Sequence, residues 1–163
     1  MKKTLIILTM LPMLSYCASY YENENVHSKI KEIENNKLPI IVKARASRPN
    51  SAGGVDFSVH WKNVSNNTFK YVVFTVIPYN AVGDIQKCSI RNYSEFKGKE
   101  TGPYEPGSVV GYGTSWSNAW YNHSIRCVKL KKVEITFMDN TKTTITDIDK
   151  ILDPNQEICP PKY

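Results

Sequence analysis

Residues 55–62 constrain the fold more than any other stretch. Val55, Phe57, Val59 and Trp61 alternate with Asp56, Ser58, His60 and Lys62. A period of two puts the apolar set on one face and the polar set on the other, which predicts a half-buried β-strand. Such a strand needs a second apolar layer to cover it. Residues 69–79 offer one. Tyr71, Val73 and Ile77 lie on one face of that segment and Val72, Phe74 and Val76 on the other, so it reads as a central strand. Pro78 stands near its end, where a missing ladder bond matters least.

Turn chemistry divides the rest into short strands. Residues 48–54, 63–67 and 80–84 are rich in Asn, Gly, Pro and Ser, and Met138-Asp139-Asn140-Thr141 has the look of a tight hairpin turn. Between these turns, strands are expected at 40–47, 85–90, 109–113, 124–129, 132–138 and 143–145, while Ser115 to Asn122, with two tryptophans and a tyrosine, reads as part of a Ser/Asn/Gly-rich loop. Residues 94–108 carry Gly98, Gly102, Pro103, Pro106 and Gly107 and read as a long loop. Some seven to eight short strands predict an all-β, antiparallel immunoglobulin-like β-sandwich over residues 38–146. No internal repeat, phosphate-binding loop or alternating βαβ pattern is present. Residues 147–163 read as a polar tail with one helical turn before Pro154.

The segment before the sandwich is polar. Val26, Ile30 and Ile33 fall at helical spacing, which predicts a short helix, marginal alone. Residues 18–37 otherwise read as a tether. Upstream, Met1-Lys2-Lys3 is followed by an apolar run from Thr4 to Leu14. That is the layout of a bacterial export signal over residues 1–17, and the run is too short for a finished transmembrane span. Leu14-Ser15-Tyr16-Cys17 resembles a lipobox, which would make Cys17 a lipid attachment site. Tyr16 departs from it, because a small residue is usual there. A cut after Ala18 or Ser19, giving a secreted protein, is the competing reading. The expected location is therefore the bacterial cell envelope or the medium.

Four cysteines are present, at 17, 88, 127 and 159. Outside the cytoplasm disulfides are the default. With Cys17 taken by the signal or the lipid, three remain, so at most one bridge forms within the chain. Cys88 and Cys127 both sit in strand-like segments and are the favoured pair; Cys159 could replace either. The formal charge of the chain is +6. Basic density peaks at Arg126, Lys129, Lys131 and Lys132. An exported chain rarely meets nucleic acid, so that reading is set aside. A lysine-guarded strand edge, or attraction to anionic lipid, lipopolysaccharide or an acidic partner, accounts for the cluster.

Residues 57–84 resemble FxLYD-type domains, small immunoglobulin-like modules of exported bacterial proteins. The resemblance rests on His60-Trp61-Lys62-Asn63-Val64-Ser65-Asn66, then Lys70-Tyr71-Val72-Val73-Phe74-Thr75-Val76, then Tyr79-Asn80-Ala81-Val82-Gly83-Asp84, with Pro106-Gly107-Ser108 further on. Pro78-Tyr79-Asn80 stands where Leu-Tyr-Asp is usual. The resemblance implies a fold and an envelope location, and brings no catalytic residues or cofactor.

Candidates for chemistry are sparse. His60 and His123 could meet with Asp56 or Asp139, but no spacing requires it. His123 beside Ser124 carries no information about a nucleophile–base pair, since neighbours in a strand point to opposite faces. Glu95, Glu100 and Glu105 lie in one expected loop, where acids are usually just solvated. The notable group is aromatic: Tyr104, Tyr112, Trp116, Trp120 and Tyr121. Either the tryptophans plug one end of the sandwich or they form a binding surface, since Trp and Tyr dominate interface hot spots. The chain therefore reads as an exported, non-catalytic interaction module for an envelope or host protein. A glycan- or lipid-binding module using Trp116 and Trp120 is the alternative, and an enzyme a distant third.

Overall fold

The computed structural model describes residues 23–111 and 114–160. The export segment, Cys17 and Tyr112 lie outside the described residues. Among the described residues one α-helix, α1 (Glu24–Asn35), precedes eight strands: β1 (Ile40–Ala46), β2 (Gly54–Asn63), β3 (Phe69–Tyr79), β4 (Phe96–Tyr104), β5 (Val109–Val110), β6 (Ser115–Tyr121), β7 (Cys127–Phe137) and β8 (Lys142–Ile145). They form two antiparallel sheets. Sheet A holds β1, β2, β5 and β6, with β2 pairing to all three others; sheet B runs β4-β3-β7-β8. With β1-β2-β6 on one side and β3-β7-β8 on the other, the chain has the crossing connectivity of an immunoglobulin-like sandwich.

The alternation in β2 does what it predicts. Val55, Phe57, Val59 and Trp61 are all 0% exposed and face Phe69, Val72, Phe74 and Val76 of β3 and Val133 and Ile135 of β7 in one core. Asn63 is the polar member of that inward set. Its side chain donates to the carbonyls of Asn67, Tyr104 and Glu105 and accepts from the Ser65 amide and hydroxyl. A buried amide is tolerated because each of its polar atoms is satisfied. Pro78 is spared a lost bond: its carbonyl accepts from Gln86, so its missing N–H points away from the ladder to β7.

Four segments fold differently from the expectation. Residues 124–129 and 132–138, read as two strands, form the single strand β7, and the tryptophan-bearing segment 115–122, read as loop, forms β6. Residues 96–104, read as loop, form β4, paired to β3 from Val76↔Phe96 to Phe69↔Tyr104. Residues 85–90, read as a strand, make only one bridge, Tyr79↔Ile85. The chain there turns instead, with Cys88 N–H on the Tyr93 carbonyl and Asn92 N–H on the Cys88 carbonyl.

The favoured Cys88–Cys127 pairing is corrected. The bridge joins Cys127 to Cys159, and Cys88 is a buried free thiol. The cause is geometric. Cys88 belongs to the core between the sheets, whereas Cys127 opposes Tyr79 at the start of β7, on the outward side where the tail arrives.

Both ends of the described chain pack against the sandwich. Val26, Ile30 and Ile33 of α1 are buried with Ile41 in a small second cluster on the outer side of sheet A. Asn23 caps the helix through the Asn25 amide. The tail runs beside β1: Val42 N–H meets the Ile151 carbonyl, Asp153 N–H meets the Val42 carbonyl, and the Gln156 side chain exchanges two bonds with the Ala44 backbone.

Candidate binding surface

The two tryptophans of the aromatic group point between the sheets. Trp120 is 0% exposed, and its indole N–H donates to the Ser94 carbonyl at 2.9 Å. Trp116 is half-buried and stacks on Phe57 at 5.2 Å between centroids. Both oppose inward residues of β2, Trp116 against Phe57 and Trp120 against Val55. Asn118 bulges between them at a φ of 51° with its amide on the Asp56 carboxylate. Tyr104 packs edge-on to Trp61 and donates its hydroxyl to Glu100 at 2.7 Å. Burial, and then the Glu100 carboxylate, push its phenol well above the usual tyrosine range. Tyr121 is half-buried against the core. Trp116 and Trp120 are therefore core residues rather than a binding platform, because the space between the sheets is filled from β6.

His60 and His123 do not converge. His60 is buried on the outward side of β2, while His123 is exposed beside Gly53, just before that strand. Six strand residues separate the two places, roughly 20 Å. Among the described residues no three His, Cys, Asp or Glu side chains are arranged to hold a metal ion. Glu95 immediately precedes β4 and Glu100 lies within it; they pair with Lys131 and Tyr104 respectively. At Cys88, burial raises the thiol, but the Tyr121, Arg91 and Ile90 amides aimed at the sulfur, with the Arg91 charge, bring it below its ordinary value overall.

The basic run is where the surface chemistry lies. The pairing register of sheet B fixes its outer face. Tyr71, Val73 and Thr75 of β3 oppose Thr101, Lys99 and Lys97 of β4 on one side. On the other side these three and Ile77 oppose Thr136, Glu134, Lys132 and Lys129 of β7. Directly opposed residues share a face. An apolar and aromatic stripe ending in Tyr79 is thus bordered on both sides by lysines. Lys99 Nζ stands 3.8 Å above the Tyr71 ring, and Lys129 Nζ 5.1 Å from that of Tyr79. Each such contact contributes roughly 0.5–1 kcal/mol when exposed and holds an ammonium over the stripe.

The acids on this face are spoken for. Lys132 pairs with Glu134 at 3.0 Å and Lys131 with Glu95 at 2.7 Å. Lys131, chiefly by its hydrogen bond, holds the Glu95 carboxyl below the usual range. Lys97, Lys99 and Lys129 make no ion pair among the described residues. The edge reading of the lysines applies in part: β8 covers β7 only from Val133 to Thr136, so Lys129 and Lys131 stand on the open half of that strand.

Among the described residues no helix is long and apolar enough to cross a membrane. No family model, curated protein or solved structure matches the chain.

Proposed function

We propose that this chain is an exported, non-catalytic interaction module that docks an acidic envelope or host protein on the outer face of sheet B. The observation that carries the reading is the stripe Tyr71-Val73-Ile77-Tyr79 bordered by Lys97, Lys99 and Lys129, which make no ion pair among the described residues. Tyrosine supplies contact area at little entropic cost. Lysine is depleted in the cores of ordinary interfaces, so a lysine-bordered stripe suits a partner that brings carboxylates. Charge complementarity of this kind speeds encounter and fixes orientation.

The leader and the lipobox-like Cys17 support an envelope location, and the FxLYD-like residues fit such a module. The placement of α1 adds to this. The helix packs on the outer side of sheet A, so an N-terminal anchor would leave the outer face of sheet B free. A tryptophan-based glycan platform has little to recommend it once Trp120 is enclosed.

Site-specific photo-crosslinking in the producing organism tests the reading. A crosslinker at Ile77 should give a discrete protein adduct, and one at Arg45 on the other sheet should not. Combining Lys97→Glu, Lys99→Glu and Lys129→Glu should reduce that adduct about tenfold. Equal adducts from both faces, or adducts indifferent to charge reversal, would refute it.

A further inference from the structure

A second basic site lies at one end of the sandwich, built from two loops. Arg48 and Pro49 of the β1–β2 loop and His123 and Arg126 of the β6–β7 turn line a cleft of about 740 Å³. Its walls are fixed by the backbone. Asn122 N–H donates to the Gly53 carbonyl at 2.8 Å, tying the two loops together. The His123 ring lies so near Gly53 that a Cβ there would meet it at 3.2 Å, and Gly53 has a φ of 81°. Only glycine suits both demands. Asn50 holds its loop through the Ala52 and Gly54 amides.

Arg126 is oriented before any ligand arrives. Its Nη1 donates to the carbonyls of His123 and Ile125 at 2.7 and 2.8 Å. Both Nη1 hydrogens are thereby used. The Nε and Nη2 hydrogens remain, and they form an edge of the guanidinium that grips an oxyanion in a two-pronged contact. Arg48, His123 and Arg126 make no ion pair among the described residues, and no acidic side chain lines the cleft. Asp56 lines an adjoining depression that Arg48 also borders, and one of its carboxylate oxygens accepts from the Asn118 amide.

We propose that this cleft binds a compact oxyanion of the phosphate class, gripped by the free edge of Arg126 and closed on by Arg48 and His123. The lining side chains come from two different loops, and a tetrahedral anion has an oxygen to offer each of them. The anion is either free in solution or the phosphate of a lipid headgroup. The site is independent of the lysine-bordered face, which offers separated ammonium charges without a guanidinium fork.

Inorganic phosphate, titrated into the full chain at constant ionic strength, tests this by following the His123 ring and Arg126 side-chain resonances. Saturable shifts at both are expected. Arg126→Lys keeps the charge but removes the fork, and should weaken binding about tenfold. Arg48→Gln, which breaks no bond in the fold, should weaken it severalfold; if Arg126→Lys disturbs the turn, this variant decides alone. Lys97→Gln with Lys99→Gln should leave the affinity unchanged. Flotation with phosphatidylglycerol vesicles against phosphatidylcholine vesicles separates the sources: Arg48-dependent flotation on phosphatidylglycerol identifies a headgroup, and its absence beside phosphate saturation identifies a free anion. Shifts that rise without saturating, or that persist unchanged in Arg48→Gln, overturn the proposal.

Discussion

Trp116 enters the space between the sheets because residue 98 has no side chain. A Cβ on Gly98 would stand 2.7 Å from the indole ring, closer than carbon atoms approach without repulsion. Gly98→Ala therefore either tilts Trp116 off Phe57 or parts β4 from β3. Overpacking of this kind costs about 1–3 kcal/mol. A urea titration should show a lower midpoint at unchanged slope; an unshifted midpoint would mean that the ring moves aside freely. His60 gives the residue-scale pH dependence. Burial holds its imidazole below the usual range and Lys43 adds to this, while Asp153 works against them. The unfolded chain, with an ordinary value near ~6.5, therefore takes up a proton that the native chain resists. This contribution to stability is complete above that value and is lost as the pH falls toward the lower native one. Stability should decline as the pH falls below the unfolded value, and His60→Gln should flatten that decline. An equal slope in both proteins would assign it to other groups.

At the scale of elements, α1 shows how a marginal helix becomes a fixed one. Twelve residues are too few to hold a helix alone in water, yet burial of Val26, Ile30 and Ile33 contributes roughly 1.5–3 kcal/mol for each side chain. Ile33→Asp should release the helix and leave the sandwich intact: trypsin should cut faster at Lys29, Lys31 and Lys37 while near-ultraviolet circular dichroism is retained. Loss of both signals together would make the helix part of the sandwich's own cooperative unit. The three apolar positions of α1 were legible by spacing; the patch that receives them was not, because Ile41 lies in a run, Ile40-Ile41-Val42, that looks inward throughout. β2 and β3 were legible because their alternation is chemical as well as geometric. β4 was not. Its inward positions include Gly98, kept small because Trp116 fills the space above it, so the strand carries the composition of a loop. The aromatic group was found by composition, but its orientation depended on the pairing of β6 with β2, strands more than fifty residues apart. The lysine-bordered face was half legible: the basic run was plain in sequence, whereas Lys97 and Lys99 join it only through the β3–β4 register.

For the whole molecule, the open side of the sandwich is the problem that the tail solves. β8 pairs only the far half of β7, and β1 is the outermost strand of sheet A, so the sheets would otherwise part beside Val42, Ala44, Val128 and Leu130. The tail enters that gap. Ile151 is 0% exposed within the core, Leu152 bridges to Val42 in parallel, and Cys159 is bonded to Cys127. A cleft of about 350 Å³ remains beneath it, lined by Ala44, Leu130 and Leu152 among others. Tail backbone and the Gln156 amide also occupy the exposed edge of β1, which blocks pairing with another chain. Two attachments of different kinds thus hold the tail, and they can be separated. The disulfide closes a loop with a sequence separation of 32, so removing it should cost about 3–4 kcal/mol, mainly by freeing the unfolded chain. The Cys127→Ser, Cys159→Ser protein should have a lower unfolding midpoint but the same native fold and little affinity for a hydrophobic dye. Ile151→Asp should keep the bridge yet bind the dye, because a carboxylate cannot remain at that position without a partner. If the double serine variant binds the dye and Ile151→Asp does not, the covalent bond rather than the packed isoleucine keeps the sandwich closed.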